Sequence, residues 1–205
     1  MQAVPAFDAI TSDLASWYAY DPQIKAELYS TRLVTVNGSY LIDPILLQRE
    51  ALDEMIDSGP VAGIVVTNSN HHRAAAQFAQ QLSVAIFSHA HTFPSDQPGR
   101  LTTIADGEEI CDRLHVIAID GAAPGEIVLH YGGNGGTLII GDALINFEPY
   151  GFAFLPAKYC SDQREMRRSL RKLLDYEAER ILFAHGTPIL SRASQRLEGL
   201  VITSS

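Results

Sequence analysis

The sequence predicts an α+β fold of the αββα sandwich type, in which two mixed β-sheets face each other and helices cover the outside. Two observations predict this class. Short runs rich in β-branched residues alternate along the chain with segments of helical periodicity. The 205 residues are also 46% hydrophobic and contain no repeat, low-complexity stretch or long linker, so we expect one domain over residues 1–205.

The N-terminal part is predicted to form a meander and then a helix. Strands are expected at Ser30–Val36 and Ser39–Asp43, because Asn37-Gly38 between them is a strong hairpin signal. A helix is expected over Leu46–Ser58, since its apolar residues fall along one side and Gly59-Pro60 ends it.

A parallel β-α-β unit is predicted next. Val61–Val66 and Val84–Phe87 are typical of buried strands, and the alanine-rich segment His71–Leu82 between them favours a helix. Ligand sites in such units lie at the carboxyl ends of the strands. The segment Thr67–His72 is therefore a candidate site from its position alone.

The second half of the chain is predicted to form the second sheet and the remaining helices. The expected strands are Leu114–Ile119, Glu126–Tyr131, Thr137–Ile140 and Arg180–Ala184. Helices are expected at Ser161–Ala178 and Ser191–Leu200, and Gly132–Gly136 is predicted to form a hairpin loop.

Composition argues against several classes of function. The net charge of −9 disfavours nucleic acid as a partner. No segment approaches the roughly 20 apolar residues of a membrane-spanning helix, and Met1–Asp8 does not resemble a secretory signal. Cys111 and Cys160 fit isolated thiols in a reducing compartment, so we expect a cytoplasmic protein.

Three segments at predicted strand ends carry side chains that bind metals. They are Thr67–His72, Gly141–Leu144 with Asp142, and Ala184–Gly186 with His185. Imidazole and carboxylate are ligands that zinc and similar cations select. Because each segment follows its own strand, we expect the three to share one pocket.

The order and spacing of these segments resemble the metallo-β-lactamase-fold superfamily, which includes glyoxalase II-like hydrolases. The family pattern is T-H-x-H-x-D-H, then a histidine before a P-G turn, a G-D aspartate and a late H-G histidine. The resemblance extends from about Leu33 to Pro188 and includes Leu41-Ile42-Asp43 and Gly121–Gly125. It implies a four-layer fold and metal-dependent hydrolysis.

The same resemblance implies that one of the two metal sites of the family is lost. It assigns the two leading histidines to Asn68 and Asn70, and the pre-turn histidine to Ala122. It assigns the aspartate–histidine pair to His71 and His72. The implied ligands of the remaining site are His71, His72, Asp142 and His185, which would hold one divalent ion, with zinc expected.

Two functions stay open at this point, and a purely structural or interaction role is a third, which a pocket closed by Phe147, Tyr150 and Phe152 would favour. In the first, a hydrolase uses the ion to activate water, Asp142 is both ligand and catalytic residue, and Asn68, Asn70 and Arg73 contact a small-molecule substrate. Four tetrahedral ligands would leave no position for water, and the ion would then be structural. In the second, a non-catalytic, pseudoenzyme-like module binds a small anion in the same pocket, at the start of the predicted helix. The residues expected to converge on the anion are Asn68, Asn70, His71, His72 and Arg73.

Some residues keep alternative interpretations. His89 and His91 follow a predicted strand, so they are either substitutes for the missing donors, substrate contacts or exposed loop residues. Asp43 is expected to brace the pocket through hydrogen bonds to nearby backbone. The aromatic segment containing Phe147, Tyr150 and Phe152 is interpreted as a loop that contacts substrate, closes the pocket or joins the core.

Overall fold

The computed structural model describes residues 3–95 and 97–203. In chain order its strands are β1 (Asp8–Ala9), β2 (Leu14–Asp21), β3 (Ala26–Thr35), β4 (Gly38–Ile42), β5 (Val61–Val66), β6 (Ala85–Ser88), β7 (Leu101–Thr103), β8 (Glu109–Cys111), β9 (Leu114–Ala118), β10 (Ile127–Tyr131), β11 (Thr137–Ile140), β12 (Leu144–Phe147), β13 (Gly151–Phe154) and β14 (Arg180–Phe183). The α-helices are α1 (Arg49–Asp57), α2 (Ala75–Leu82), α3 (Gln163–Ser169) and α4 (Ala193–Thr203), and 3₁₀ segments cover Ala157–Tyr159 and Leu170–Asp175.

The strands form two main sheets of mixed direction. The first has seven strands in the order β1-β2-β3-β4-β5-β6-β7, and the second has five in the order β14-β11-β10-β9-β8. Strands β12 and β13 pair as a separate hairpin. In the first sheet β4, β5 and β6 run parallel, and in the second β11 and β14 run parallel.

Three apolar layers hold the sandwich together. Leu33 and Leu129 belong to the layer between the two sheets. Phe78 of α2 belongs to the layer that covers the outer face of the first sheet. Met166 of α3 and Leu197 of α4 belong to the layer that covers the second sheet. The predicted αββα arrangement is therefore confirmed.

Most predicted elements appear, and the boundaries of all four predicted helices are shifted. Helix α2 begins at Ala75, because Arg73 has a φ of +38° and a helix cannot include that left-handed conformation. The segment predicted as Ser161–Ala178 is a short α-helix followed by a 3₁₀ segment. The N-cap of α3 is Asp162, whose carboxylate accepts hydrogen bonds from two backbone N–H groups.

Several strands were not predicted. Strand β2 pairs with β3 along its full length, although its first four residues are all buried and show no alternation. The aromatic segment interpreted as a loop forms the hairpin of β12 and β13. The short strands β1, β7 and β8 were also missed.

The direction of the parallel strands positions the site. The chain leaves β4, β5, β11 and β14 at one edge of the sandwich, where the segments that follow these strands come into contact. Among the described residues, no helix is both long and apolar enough to cross a membrane.

We expect the whole chain to unfold as one domain. Leu33 of β3 is fully buried between the sheets, so Leu33→Ala should lower the free energy of unfolding by about 2–5 kcal/mol. Val36→Ala, at an exposed turn, should change it by less than about 0.5 kcal/mol. Scanning calorimetry should show a single two-state transition that moves as a unit in Leu33→Ala. Two separable transitions would contradict the single domain.

Candidate metal centre

The site is built from side chains that follow strands of both sheets. Asp43 follows β4, and His71 lies in the segment between β5 and α2. Asp142 follows β11, and His185 follows β14. Within residues 3–95 and 97–203, one group of three or more metal-binding side chains is present, and it consists of His71, Asp142 and His185. We call these residues the three-donor group.

The donor atoms of the three-donor group fit one metal ion. His71 Nε2 lies 3.2 Å from Asp142 Oδ1 and 3.3 Å from His185 Nε2. The separation of His185 Nε2 from Asp142 Oδ1 is 3.5 Å. Ligand atoms bonded to a tetrahedral zinc at about 2.0–2.1 Å lie about 3.3–3.4 Å apart. The three observed separations therefore match those that a single tetrahedral ion requires.

The other ring nitrogen of each histidine has its own partner. His71 Nδ1 lies 2.9 Å from Asp43 Oδ2 and 2.9 Å from the Thr67 hydroxyl. His185 Nδ1 lies 3.2 Å from the backbone carbonyl of Glu27. A carboxylate or carbonyl at the far nitrogen is the usual arrangement around metal-binding histidines, because it fixes the ring and directs the opposite nitrogen at the ion.

The two oxygens of Asp142 face different partners. Oδ1 faces the two histidines, whereas Oδ2 accepts hydrogen bonds from the amides of Asn68 at 3.1 Å and Asn70 at 3.0 Å. Asn68 and Asn70 were predicted to contact substrate. The structure instead places both amides on the Asp142 carboxylate. Asn68 is fully buried, while Asn70 lies at the exposed rim of the site.

A second buried carboxylate, on Glu126, was not predicted from the sequence. Its Oε1 accepts hydrogen bonds from the backbone N–H groups of Asp142 and Ala143, and its Oε2 accepts one from the Asn68 amide. Burial and the charge on Asp142 raise the pKa of Glu126 to about 8. The available signal was its place directly after the Pro124-Gly125 turn, where the backbone enters β10 at the same edge as the site.

The electrostatics of the centre decide which histidine carries a proton. Burial by itself would lower the pKa of His71, but the charges of Asp142 and Asp43 raise it to about 9. Burial and the charge on His71 lower the pKa of His185 to about 4. Burial would raise the pKa of Asp142, but His71 and His185 hold it well below its usual range. At neutral pH His71 is therefore the protonated ring and His185 the neutral one.

His72 was predicted as a ligand, and the structure places it outside the three-donor group. Its Nε2 lies 2.8 Å from the backbone carbonyl of Thr92, and its ring stacks on Phe93 with 4.0 Å between ring centroids. The sequence analysis also aligned the end of the motif one residue too early, because it placed the aspartate–histidine pair at His71 and His72. Read without a gap from Thr67, the pattern T-H-x-H-x-D-H ends at His72 and Arg73.

Arg73 was predicted to contact substrate, and the structure gives its guanidinium other partners. It donates hydrogen bonds to the backbone carbonyls of Tyr29, Asp43 and Ala184. These carbonyls belong to three segments that border the site. Arg73 therefore connects the segments that form the wall of the centre. It directly precedes Ala74, the N-cap of α2, but its guanidinium is bound to these carbonyls.

The remaining candidates lie outside the three-donor group. His89 and His91 contact each other in the segment after β6, with 5.0 Å between ring centroids. Ala122, at the position of the pre-turn histidine, is buried in the apolar layer outside the second sheet. Asp43 braces the centre as expected, since its carboxylate accepts hydrogen bonds from the backbone N–H and hydroxyl of Thr67 and contacts His71.

A family model described as metallo-beta-lactamase superfamily matches residues 9–204. The chain belongs to the metallo-β-lactamase superfamily. The match covers nearly the whole chain and confirms the resemblance seen in the strand-end motifs. No relative is detected among curated proteins.

Solved structures of metallo-β-lactamases share the fold. DIM-1 metallo-β-lactamase is 16% identical over 98% of this chain and all of its own, with a TM-score of 0.78. VMB-1 is 11% identical over 100% of this chain and 99% of its own, with a TM-score of 0.76. A metallo-β-lactamase family protein from Thermus thermophilus is 20% identical over 96% of this chain and 80% of its own, with a TM-score of 0.68. At these identities the likeness shows the fold alone.

The structure predicts that His71 and His72 differ in their effect on metal binding. His71→Gln removes a donor atom and should weaken zinc binding more than about 100-fold, because losing even an outer partner of a ligand costs about 10–100-fold. His72→Gln keeps an N–H group that can reach Thr92 and should change the dissociation constant by less than about 3-fold. Competition against a zinc chelator measures both. Equal losses in the two variants would contradict the assignment.

Proposed function

We propose that the protein is a metal-dependent hydrolase that uses one divalent ion, held by His71, Asp142 and His185. The observation that carries the proposal is the triangle of donor atoms with sides of 3.2, 3.3 and 3.5 Å. The partners at the far nitrogens of both histidines support it. A donor set of two imidazoles and one carboxylate favours zinc, so we propose zinc as the cation.

The number of donors favours a catalytic over a structural ion. Structural zinc sites in proteins have four protein ligands, whereas catalytic sites have three and keep a position open. His72 points to Thr92 and leaves three donors in the centre. When bound, the ion supplies Lewis-acid activation of a water molecule and polarises the oxygen of the bond to be hydrolysed.

The protein's own residues hold and orient the reacting groups. Asp43 and the Glu27 carbonyl fix the two imidazoles with Nε2 facing inward. Asp142 offers Oδ1 on the same side, where it can also accept a hydrogen bond from the attacking water. Of the predicted substrate contacts, Asn70 is the exposed one, and the second hydrogen of its amide nitrogen is available to a substrate oxygen.

The substrate is proposed to be a small molecule with an ester, thioester or phosphate-type bond. DIM-1, one of the solved structures named above, is a metallo-β-lactamase, so a β-lactam amide belongs in the same test. The anion-binding alternative has less support from the geometry. Of the five residues expected to converge on the anion, Asn68 and Asn70 donate to the Asp142 carboxylate, and Arg73 donates to backbone carbonyls.

Removal of a donor should abolish both metal and activity. Asp142→Asn and His185→Gln should each lose the ion and reduce hydrolysis by at least about 100-fold. His115→Gln, which changes a histidine of β9 outside the centre, is the matched control and should keep both. Elemental analysis and a panel of ester, thioester, phosphodiester and β-lactam substrates measure the effects. Metal-free wild-type protein with full activity would overturn the proposal.

Metal uptake should release a proton. The raised pKa of His71, about 9, means that its Nε2 must lose a proton before it can bind an ion at pH 7. Apparent zinc affinity should therefore rise about tenfold per pH unit from pH 7 and level off above pH 9. Calorimetric titration in two buffers with different protonation enthalpies should show release of about one proton per ion at pH 7. A pH-independent affinity would contradict this protonation state.

A further inference from the structure

The buried side chains of Asn68 and Glu126 lie directly behind Asp142, and the proposed reaction gives neither of them a role. Asn68 is 0% exposed and Glu126 is 2% exposed. Glu126 Oε1 accepts hydrogen bonds of 2.8 and 2.9 Å from the backbone N–H groups of Asp142 and Ala143. The Glu126 carboxylate is therefore anchored to the same turn that carries the metal-binding aspartate.

Hydrogen bonding fixes the direction of the Asn68 amide. Its Oδ1 accepts a hydrogen bond from the backbone N–H of Asn70 at 2.8 Å. Its Nδ2 donates to Glu126 Oε2 at 2.6 Å and to Asp142 Oδ2 at 3.1 Å. The opposite orientation would set the amide oxygen against two carboxylates and the amide N–H₂ against an N–H group. The Asn68 N–H₂ group thus stands between the carboxyl groups of two buried residues, Glu126 and Asp142.

The space around this contact is closely filled. A Cβ placed on Gly141 would lie 2.7 Å from Thr67 Oγ1, 2.8 Å from Glu126 Oε1 and 3.0 Å from Asn68 Nδ2. Even one added methyl group would therefore collide with the network at Gly141. This packing keeps the amide and the two carboxylates in fixed positions.

We propose that Asn68 and Glu126 are positioning residues that together replace a second ion beside Asp142. The Asn68 amide donates a hydrogen bond to Oδ2 of Asp142, so that only Oδ1 of this carboxylate faces His71 and His185. Glu126 acts through Asn68, because its carboxylate holds the amide nitrogen in place. The network limits the centre to one ion and orients the ligand that binds it. This inference rests on the proposed function, since it needs an ion in the three-donor group.

Glu126→Gln tests the inference because it changes hydrogen-bond polarity and leaves the shape of the side chain nearly unchanged. The oxygen of the new amide would stay on the backbone N–H groups of Asp142 and Ala143, which sets its N–H₂ group against the amide nitrogen of Asn68. Asn68 can relieve this conflict by turning its amide, and its oxygen then faces Asp142 Oδ2. We expect zinc affinity to fall about 10–100-fold. The visible absorption spectrum of the cobalt-substituted protein should also change, because the Asp142 ligand moves.

Asn68→Asp is the second variant, because it removes the N–H donor to Asp142 and puts a carboxylate in its place. It should weaken zinc binding at the three-donor group to a similar extent and admit a second ion in excess zinc. The controls are Glu54→Gln on the outer face of α1 and Asn37→Asp in the β3–β4 turn, both exposed. They should leave zinc affinity and the cobalt spectrum unchanged. The thermal unfolding transition of each protein shows whether it is folded. If Glu126→Gln is unfolded, the result with Asn68→Asp decides.

Zinc titration of the wild-type chain distinguishes a failure of this inference from a failure of the proposed function. One ion per chain in excess zinc, with weaker binding in the buried variants, supports the inference. Two ions per chain in the wild type, or variants that match their controls in affinity and spectrum, overturn it while the proposed function stands. No bound ion in the wild type overturns the proposed function and with it the inference.

Discussion

The orientation of the Asp142 carboxylate is the constraint on which the centre depends. One oxygen faces two imidazoles, and the other is held by two amides that come from the segment after β5. Because the carboxylate is nearly buried, any rotation would leave a charged oxygen without a partner, at a cost of several kcal/mol. The hydrogen bonds around it therefore determine which oxygen faces the two imidazoles.

Much of the fold follows from the sequence for a simple physical reason. Strands buried on both faces, such as Val61–Val66 and Thr137–Ile140, form continuous apolar runs, and the structure has them with the predicted boundaries. The missed strands are the edge strands β1, β7 and β8, the strand β2 next to an edge, and the β12–β13 hairpin. There the residues are aromatic, short or partly exposed, and their pairing is decided by neighbours that are distant in the chain.

The site was predicted only in part. The positions of His71, Asp142 and His185 after strands correctly predicted that these residues are neighbours. That inference does not depend on the direction in which each side chain points. The roles of His72 and Arg73 needed more information than a motif contains. Adjacent side chains point in different directions, and the left-handed conformation of Arg73 turns the chain before α2 begins. Glu126 was missed because its partners are the backbone of a different turn.

The three donors come from opposite halves of the sandwich, His71 from the first sheet and the other two from the second. An ion bound by all three would cross-link the two sheets at one edge of the sandwich. Because only the folded chain presents the three donors together, the free energy of unfolding would then rise with the concentration of free cation. Scarcity of that cation would lower the stability of the whole fold.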